Sequence, residues 1–222
     1  MRWAVITGGP NIHYKEVKEE LAVSDRVICA DSGAFHAKQM GIIPEKLLGD
    51  LDSIDADTLS WIHELRVPLE VFPVEKDMTD SELCLREIPK DQTILLVCSL
   101  SGRPDHVLSN LLLAGKMASE GYHLTVTDGV SWVYPLIGPA SFRLDFNRWD
   151  TARERGNLVI SLIPLFSTVS GVSTTGLHYR LSDKSLIPGS SFSVSNRVEK
   201  SAPVIGVDFI SGVMLVIVTP SE

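Results

Sequence analysis

The stretch Leu47-Leu-Gly-Asp-Leu-Asp-Ser53 decides the predicted fold, because it joins a short apolar run to a pair of carboxylates. The run from Lys46 to Leu48 has the character of a buried strand, and the glycine and acids after it are typical of a loop. In an open parallel sheet, ligands bind in the loops at the carboxyl ends of the strands. Asp50 and Asp52 are two residues apart, so in an extended chain we expect both to point to one side and to share one cation.

The same alternation extends over the first 130 residues, where short apolar runs alternate with helical patterns. This is typical of βαβ units and a parallel sheet. The predicted strands are Trp3–Thr7, Arg26–Ala30, Lys46–Leu48, Leu69–Phe72, Ile94–Ser99 and Leu124–Thr127. The predicted helices are Tyr14–Ala22, Ala34–Met40, Asp57–Leu65, Asp80–Ile88 and Asp105–Glu120.

Charged residues follow several of the predicted strands, and their loops share one edge of the sheet. Asp31 follows the second strand, Lys76 and Asp80 the fourth, and Arg103 and Asp105 the fifth. Two like charges about 4 Å apart repel by roughly 4 kcal/mol at an effective dielectric near 20. Converging carboxylates therefore need a cation, and oxygen-only ligands favour Mg²⁺. With a lysine and an arginine available for phosphates, the pattern predicts phosphoryl transfer from a nucleotide.

Single residues in this set have structural alternatives that the sequence leaves open. Asp80 and Asp105 are also typical of helix N-termini, and Asp31 is typical of a turn. Thr79 is typical of a helix N-cap whatever else it does. His106, in a first helical turn, is more often structural than catalytic. The convergence of the whole set favours the functional interpretation.

The pattern changes near residue 133, beyond which apolar runs such as Leu158–Ile163, Phe192–Val194 and Val213–Val218 are separated by turn residues. No helical periodicity appears, so this part is predicted to be all-β. The predicted fold class is α/β. An N-terminal parallel-sheet α/β/α (Rossmann-like) domain over residues 1–132 is followed by a smaller β-sandwich domain over residues 133–222.

Composition excludes several classes of protein. The net charge of −8 argues against a nucleic-acid binder. Cys29, Cys84 and Cys98 stand singly in apolar stretches without a CxxC pair, which predicts buried, reduced thiols rather than a zinc site or disulfides. Neither a signal-peptide pattern nor an apolar run approaching about 20 residues is present, so a cytoplasmic protein without membrane attachment is expected. The GxxxxGK[ST] and GxGxxG phosphate loops are absent.

Six motifs together resemble the thiamine pyrophosphokinase family in its bacterial two-domain form, and they occur in the family's order. They are Ala30-Asp-Ser-Gly-Ala34, Leu48-Gly-Asp-Leu-Asp-Ser53, Glu75-Lys-Asp-Met-Thr-Asp80, Gly102-Arg-Pro-Asp-His106, Gly171-Val-Ser-Thr-Thr-Gly-Leu-His-Tyr179 and Ser193-Val-Ser-Asn196. The resemblance implies an enzyme that transfers pyrophosphate from ATP to the hydroxyl of thiamine, giving thiamine diphosphate and AMP. It also implies an ATP-binding α/β domain, a thiamine-binding β-sandwich domain and a Mg²⁺ requirement.

The resemblance also assigns expected roles to residues. The metal and phosphate-organising acids are Asp31, Asp50, Asp52 and Asp80. The residues beside the ATP phosphates are Asp31, Lys76, Thr79, Arg103 and His106, and the catalytic set is Asp50, Asp52, Asp80, Arg103 and Asp105. Thiamine is expected to contact Ser193, Ser195 and Asn196, supplied by the partner subunit of a homodimer.

In the implied reaction, the thiamine hydroxyl attacks the β-phosphorus, AMP leaves, and Lys76 and Arg103 neutralise the transferred group. Either Asp80 or Asp105 accepts the proton of the hydroxyl, and the sequence does not choose between them. Two other functions stay open at this stage. One is a related pyrophosphokinase acting on another alcohol, and the other is a non-catalytic sensor of thiamine or thiamine diphosphate.

Overall fold

A computed structural model of the chain describes residues 2–21, 26–145, 158–199 and 201–221. It divides into two compact units, residues 1–117 with 121–130, and residues 118–120 with 131–222. The first contains the strands β1 (Arg2–Ile6), β2 (Arg26–Ala30), β3 (Lys46–Gly49), β4 (Leu69–Val71), β5 (Thr93–Val97) and β6 (His123–Thr127). Its helices are α1 (Tyr14–Leu21), α2 (Gly33–Met40), α3 (Ala56–Glu64), α4 (Asp80–Arg86) and α5 (Pro104–Ser119).

The strands of the first unit form a parallel sheet in the order β4-β3-β2-β1-β5-β6. The inner strands β1, β2 and β5 are almost continuously buried, so both faces of the sheet are covered, as is typical of α/β proteins. The strand order reverses between β1 and β5. In open α/β sheets such a reversal opens a crevice at the carboxyl ends of the strands, where ligands bind.

The helices of this unit are bounded by residues whose side chains or backbone satisfy the helix ends. Asp55 caps α3 by accepting a hydrogen bond from the Thr58 backbone N–H, 2.8 Å away. Thr79 caps α4 in the same way, with its hydroxyl accepting from the Glu82 backbone N–H at 3.2 Å. Gly41, left-handed with φ 66°, ends α2. The N-cap role predicted for Thr79 is therefore confirmed.

The second unit contains no helix of its own in the part that the structure describes, and its strands pair antiparallel. They are β7 (Trp132–Ile137), β8 (Ala140–Asp145), β9 (Leu158–Thr175), β10 (Lys184–Leu186), β11 (Asn196–Arg197), β12 (Val204–Phe209) and β13 (Ser211–Pro220). Their order is β7-β13-β9-β12-β8, with β10 and β11 pairing with β9. The finer prediction, two sheets packed as a sandwich, stays a prediction.

Most predicted elements of the first unit end within two residues of the observed bounds, although Ala22, predicted as helical, lies outside the described residues. The strand predicted at Phe192–Val194 is wrong, because this stretch forms a turn. Phe192 and Val194 are exposed, and between them Ser193 is buried, with its hydroxyl donating to the Leu162 carbonyl at 2.6 Å. In the segment Phe192–Val194 the two apolar side chains therefore face solvent and the polar one is buried, the reverse of the pattern expected for a half-buried strand. Cys29, Cys84 and Cys98 are buried and free, as predicted.

Candidate active site

Three of the predicted acids converge at the carboxyl ends of β2 and β3. Asp31 directly follows β2, and Asp50 and Asp52 follow β3. One carboxylate oxygen from each of the three lies within 4.8 Å of the other two. The Asp31 backbone N–H donates to the Leu48 carbonyl at 2.8 Å, which ties the two strand ends together. The three acids therefore lie together at one edge of the sheet, as their positions after parallel strands predict.

Asp50 and Asp52 meet by a different geometry from the one predicted. The chain is not extended between them, because Leu51 is left-handed with φ 65°, a conformation that bulky residues rarely adopt. The turn lets the Asp52 backbone N–H donate to Asp50 Oδ1 at 3.3 Å. The prediction that an extended chain aligns the two carboxylates is wrong. A strained turn brings them together, as strain at a functional site often does.

Lys76 is held inside the acid cluster. Its ammonium lies 3.2 Å from Asp50 Oδ2 and 3.2 Å from Asp80 Oδ1, and it donates to the Pro73 carbonyl at 3.1 Å. The side chains of Lys76 and Asp50 are only 15% and 12% exposed. The lysine thus neutralises part of the charge of this edge in the protein alone.

The titration of the acids reflects their crowding. The pKa of Asp52 is raised, first by its hydrogen bond to Asp50 and the Asp50 charge, then by the charges of Asp31 and Asp80. Desolvation raises the pKa of Asp80, more than the nearby ammonium lowers it. For Asp50, desolvation acts upward, but the Asp52 backbone N–H and Lys76 outweigh it and lower the pKa. Negative charge is therefore only partly balanced here.

The arrangement fits a bound cation. Asp31 Oδ1 is buried and accepts no hydrogen bond among the described residues, although Asp31 Oδ2 accepts one from the Ser53 hydroxyl. A buried carboxylate oxygen without a partner is costly in a folded protein. A hard divalent cation bound by Asp31, Asp50 and Asp52 would satisfy that oxygen and relieve the repulsion, and an all-carboxylate set suits Mg²⁺.

Glycine packs the loop after β2 tightly. A Cβ at Gly33 would lie 2.0 Å from the Ile6 carbonyl oxygen, and a Cβ at Gly8 would lie 2.1 Å from the Ser32 hydroxyl oxygen. At Gly33 only a residue without a side chain allows this approach, because the atoms that a Cβ would meet belong to the backbone of β1 and the residue after it. The loops after β1 and β2 are therefore held against each other beside the acids.

The residues predicted after β5 lie at the surface. Arg103 and Asp105 form an ion pair with 2.6 Å between Arg103 Nη2 and Asp105 Oδ2, and both side chains are more than 60% exposed. Arg103 lowers the pKa of Asp105 to about 2. His106 is exposed in the first turn of α5. None of the bonds described for these three residues reaches Asp31, Asp50, Asp52 or Asp80.

The predicted thiamine-contacting residues of the second unit are mostly occupied by bonds within the chain. Asn196, only 7% exposed, donates from Nδ2 to the Tyr179 carbonyl at 2.7 Å. Its Oδ1 accepts from the backbone N–H groups of Tyr179, at 3.0 Å, and Arg197, at 2.9 Å. Ser193 bonds to Leu162, as described above. Ser195 is exposed, with φ 59° and a backbone N–H that donates to Ser161 Oγ at 3.0 Å.

Sequence reasoning missed a cleft of about 350 Å³ beside the acids in the first unit. Its lining includes Tyr14, Phe35 and His36. The Tyr14 hydroxyl lies 3.0 Å from His36 Nδ1, and His36 Nε2 lies 2.8 Å from the Gly9 carbonyl oxygen. The sequence signal for this cleft was the pair of aromatic residues Phe35 and His36, four and five residues after Asp31. They lie near the start of α2, which begins at the same edge of the sheet as the acids.

Fold and site define a class of protein, an α/β protein with clustered acids at the carboxyl ends of its parallel strands. Residues 17–126 match the family model described as thiamin pyrophosphokinase, catalytic domain. Residues 150–214 match the model described as thiamin pyrophosphokinase, vitamin B1 binding domain. The chain belongs to the thiamine pyrophosphokinase family, and the resemblance found in its motifs is confirmed.

Individual relatives agree with this assignment. The thiamine pyrophosphokinase of Bacillus subtilis is 25% identical over 215 residues, which cover 96% of both chains. Thiamine pyrophosphokinase 1 of Oryza sativa subsp. japonica is 24% identical over 78% of this chain and 72% of its own. The crystal structure of the Bacillus subtilis protein has a TM-score of 0.83 at 22% identity, covering both chains fully. That of the Geobacillus thermodenitrificans thiamin pyrophosphokinase has a TM-score of 0.79 at 24% identity, covering 100% and 99% of the two chains, so the fold is shared.

Proposed function

We propose that this protein transfers the pyrophosphoryl group of ATP to the hydroxyl of thiamine, giving thiamine diphosphate and AMP. The observation that carries the proposal is the convergence of Asp31, Asp50 and Asp52 at the strand ends of a chain that belongs to the thiamine pyrophosphokinase family. A charged group in transfer needs opposite charge and fixed geometry more than it needs covalent chemistry.

Asp31, Asp50 and Asp52 would hold Mg²⁺, and Asp80 lies close enough to add charge to the same site. The ion, when bound, would screen the negative charge of the phosphates. The ammonium of Lys76 is the protein's own counter-charge for Asp50 and Asp80 in the free enzyme. We assign Lys76 to a phosphate oxygen in the substrate complex, where a bound cation would neutralise Asp50. Arg103 is exposed and is assigned to the same phosphates together with Thr79 and His106.

Of the two proposed proton acceptors, Asp105 is the weaker base. Its ion pair with Arg103 lowers its pKa to about 2, so it holds a proton poorly at neutral pH. We therefore assign Asp80 as the group that takes the proton of the thiamine hydroxyl, and Asp105 as the residue that orients Arg103. The bidentate contact supports this, since Arg103 Nε also donates to Asp105 Oδ1 at 3.2 Å.

The vitamin site is proposed to include the segment from Ser193 to Asn196 in the partner subunit of a homodimer. All three described hydrogen bonds of the Asn196 side chain go to the backbone of the chain itself. Asn196 is therefore proposed to act indirectly, by positioning the backbone of Tyr179, whose side chain is 63% exposed. Ser195 is the polar member of this segment whose side chain is exposed, and it is proposed to contact the ligand directly.

The domain roles belong to the same proposal. Residues 1–132 are assigned to Mg-ATP binding in a Rossmann-like domain, and residues 133–222 to thiamine binding in a β-sandwich domain. The descriptions of the two matching family models support this division. Among the described residues no helix is long and apolar enough to cross a membrane. A cytoplasmic location is part of the proposal.

The test is a product analysis after incubation of the purified protein with thiamine, ATP and Mg²⁺. We expect AMP and thiamine diphosphate in equal amounts, resolved by ³¹P NMR and chromatography. ADP with thiamine monophosphate would instead identify a simple kinase. Tight thiamine binding with no turnover would favour a sensor. Turnover only with another alcohol would move the enzyme to a related pyrophosphokinase.

A further inference from the structure

The two carboxylate oxygens of Asp31 have different surroundings. Oδ1 is buried and has no hydrogen-bond partner among the residues that the structure describes. Oδ2 accepts a hydrogen bond from the Ser53 hydroxyl. Because the protein itself occupies Oδ2, Oδ1 is the oxygen of this carboxylate that is left for a cation.

The backbone of Asp31 is fixed by contacts that do not involve Ser53. Asp31 is left-handed, with φ 47°, a conformation that aspartate adopts more readily than most residues. Its backbone N–H donates to the Leu48 carbonyl at 2.8 Å. Gly49 packs against it, since a Cβ at Gly49 would lie 3.0 Å from the Asp31 Cβ. The ends of β2 and β3 therefore set the point from which the Asp31 side chain starts.

These backbone contacts do not set the rotation of the Asp31 carboxylate about its Cβ–Cγ bond. This torsion is broad in aspartate, because it joins a tetrahedral carbon to a planar one. In the described part of the chain one hydrogen bond reaches the carboxylate, the bond from the Ser53 hydroxyl. Without that bond a cation would have to order the carboxylate as it binds, and such ordering lowers affinity.

Ser53 lies in the loop that also carries Asp50 and Asp52. The loop turns at the left-handed Leu51, with φ 65°, and Ser53 follows in the same turn. One loop thus supplies two of the candidate ligands and the hydrogen bond that orients the third. Ser53 is exposed, so core packing does not explain why its hydroxyl contacts Asp31.

We propose that Ser53 is a positioning residue of the cation site. Its hydroxyl holds Oδ2 of Asp31 and thereby directs Oδ1 toward a cation shared with Asp50 and Asp52. The inference deepens the proposed function, because it rests on the assignment of a divalent cation to these three acids. Outer-shell hydrogen bonds orient ligating carboxylates, and their loss typically lowers metal affinity by about 10–100-fold.

The test measures cation binding without any substrate. Mn²⁺ is the probe, because the electron paramagnetic resonance signal of the free ion falls as the ion binds, and added Mg²⁺ should displace it. Ser53→Ala should weaken Mn²⁺ binding by about 10–100-fold relative to wild type. Ser53→Thr should bind Mn²⁺ nearly as tightly as wild type, since it keeps the hydroxyl and its added methyl group is at an exposed position.

Ser60→Ala is the matched control, because Ser60 is an exposed serine whose hydroxyl also donates to a carboxylate, Glu64 Oε1, at 3.5 Å within α3. It should bind Mn²⁺ as wild type does. The metal-free melting temperature of Ser53→Ala should stay close to that of wild type, since substitutions at exposed positions usually change stability by less than about 0.5 kcal/mol.

Four results would overturn the proposal. They are a wild-type protein that binds no Mn²⁺, equal Mn²⁺ affinities in wild type and Ser53→Ala, a Ser53→Thr protein as weak as Ser53→Ala, and a loss in Ser60→Ala as large as in Ser53→Ala. A lower metal-free melting temperature in Ser53→Ala with unchanged Mn²⁺ affinity belongs to the second case and would show a bond that serves stability alone.

The binding measurement is independent of the products formed. If Mn²⁺ affinity depends on the Ser53 hydroxyl but incubation gives no thiamine diphosphate, the proposed function fails and the positioning role stands. If thiamine diphosphate and AMP form while Ser53→Ala binds Mn²⁺ as wild type does, the positioning role fails and the proposed function stands.

Discussion

The acid edge of the first unit and the Ser193–Asn196 segment of the second are both polar, but their polar atoms are in opposite states. At the acid edge, Asp31 Oδ1 is buried without a described hydrogen bond, and neighbouring carboxylates repel one another. In the second region, the Ser193 hydroxyl and the Asn196 amide make their bonds to the chain's own backbone. The acid edge thus includes a buried oxygen without a described partner and carboxylates that repel one another, whereas the Ser193 hydroxyl and the Asn196 amide have their partners within the chain.

The difference separates direct from indirect roles. Unpaired buried polar atoms cost stability and persist where a ligand will satisfy them. Fully bonded polar residues contribute to stability and hold their neighbours in position. Removing a group from the acid edge should therefore damage activity more than stability. Removing Asn196 should damage stability at least as much as activity.

The strongest test of this contrast is Asp52→Asn. Asp52 is exposed and its charge is repelled by Asp50, so its loss should leave the melting temperature of the metal-free protein unchanged or raised. Turnover should fall at least about a hundredfold, the usual cost of losing one group that stabilises charge in the transition state. Activity and melting temperature, each with and without Mg²⁺, check both parts.

Asp91→Asn, an exposed aspartate in the turn before β5, is the control and should behave as wild type. Near-normal turnover in Asp52→Asn would remove this residue from the metal site. A clear fall in its metal-free melting temperature would show a structural carboxylate.

Lys76→Gln should lower both activity and stability, because it leaves Asp50 and Asp80 without their shared ammonium. For a chain of this size, each 1 kcal/mol lost lowers the melting temperature by roughly 2–4 °C. Added Mg²⁺ should restore part of the loss, so the Mg²⁺-induced rise in melting temperature should exceed that of wild type.

The control for that experiment is Lys38→Gln, since Lys38 pairs with Asp57, whose side chain is 90% exposed. Its Mg²⁺-induced rise should equal that of wild type. Equal Mg²⁺-induced rises in melting temperature for wild type, Lys76→Gln and Lys38→Gln would mean that Mg²⁺ does not bind to the carboxylates that Lys76 neutralises.

Asn196→Ala addresses the second region. It would leave the backbone N–H and carbonyl of Tyr179 without their partners, at about 1–3 kcal/mol for each group that water does not reach. We expect a loss near 2 kcal/mol in chemical denaturation, together with a higher KM for thiamine as Tyr179 shifts.

Ser195→Ala is the comparison, because the Ser195 side chain is exposed and only its backbone N–H bonds to Ser161. It should raise the KM for thiamine with the free energy of unfolding unchanged. A stable Asn196→Ala protein with a raised KM would reverse the assignment and make Asn196 the direct ligand.

The smallest effect is expected at Asp105, which is exposed and paired with Arg103. Its pKa is lowered from an ordinary value near 3.9 to about 2, so the ion pair stabilises the fold above pH 4. That contribution is lost as the pH falls from about 4 to about 2. The melting temperature of Asp105→Asn should lie slightly below wild type at pH 7 and meet it near pH 2. A constant difference across this range would exclude the ion pair as its cause.

The sequence predicted the acid cluster because one rule of topology suffices for it. Asp31, Asp50 and Asp52 each follow a parallel strand, and the carboxyl ends of such strands share an edge whatever their exact register. The same rule predicts that Lys76 comes near them. It does not predict that Lys76 contacts Asp50 and Asp80 directly, which depends on the path of the loop between β4 and α4.

Other features depend on contacts between distant parts of the chain. The bonds of Asn196 to Tyr179 depend on the antiparallel bridge between Leu177 and Val198, and nothing local to Ser193–Asn196 specifies that pairing. The turn at Leu51 was missed because leucine is a poor signal for a left-handed residue. The cleft beside the acids depends on the loop after β1, which brings Pro10 and Asn11 close to Phe35.

The strand β13 has a consequence for the order in which the second unit can form during protein synthesis. It lies between β7 and β9 and pairs antiparallel with both of them. The ribosome makes β7 through β12 before β13, so the central ladder of this unit cannot close until its last strand has emerged. Synthesis proceeds at roughly 5–20 residues per second, so the edges of β7 and β9 stay unpaired for several seconds before β13 is made. Unpaired apolar strand edges favour chaperone binding during that interval.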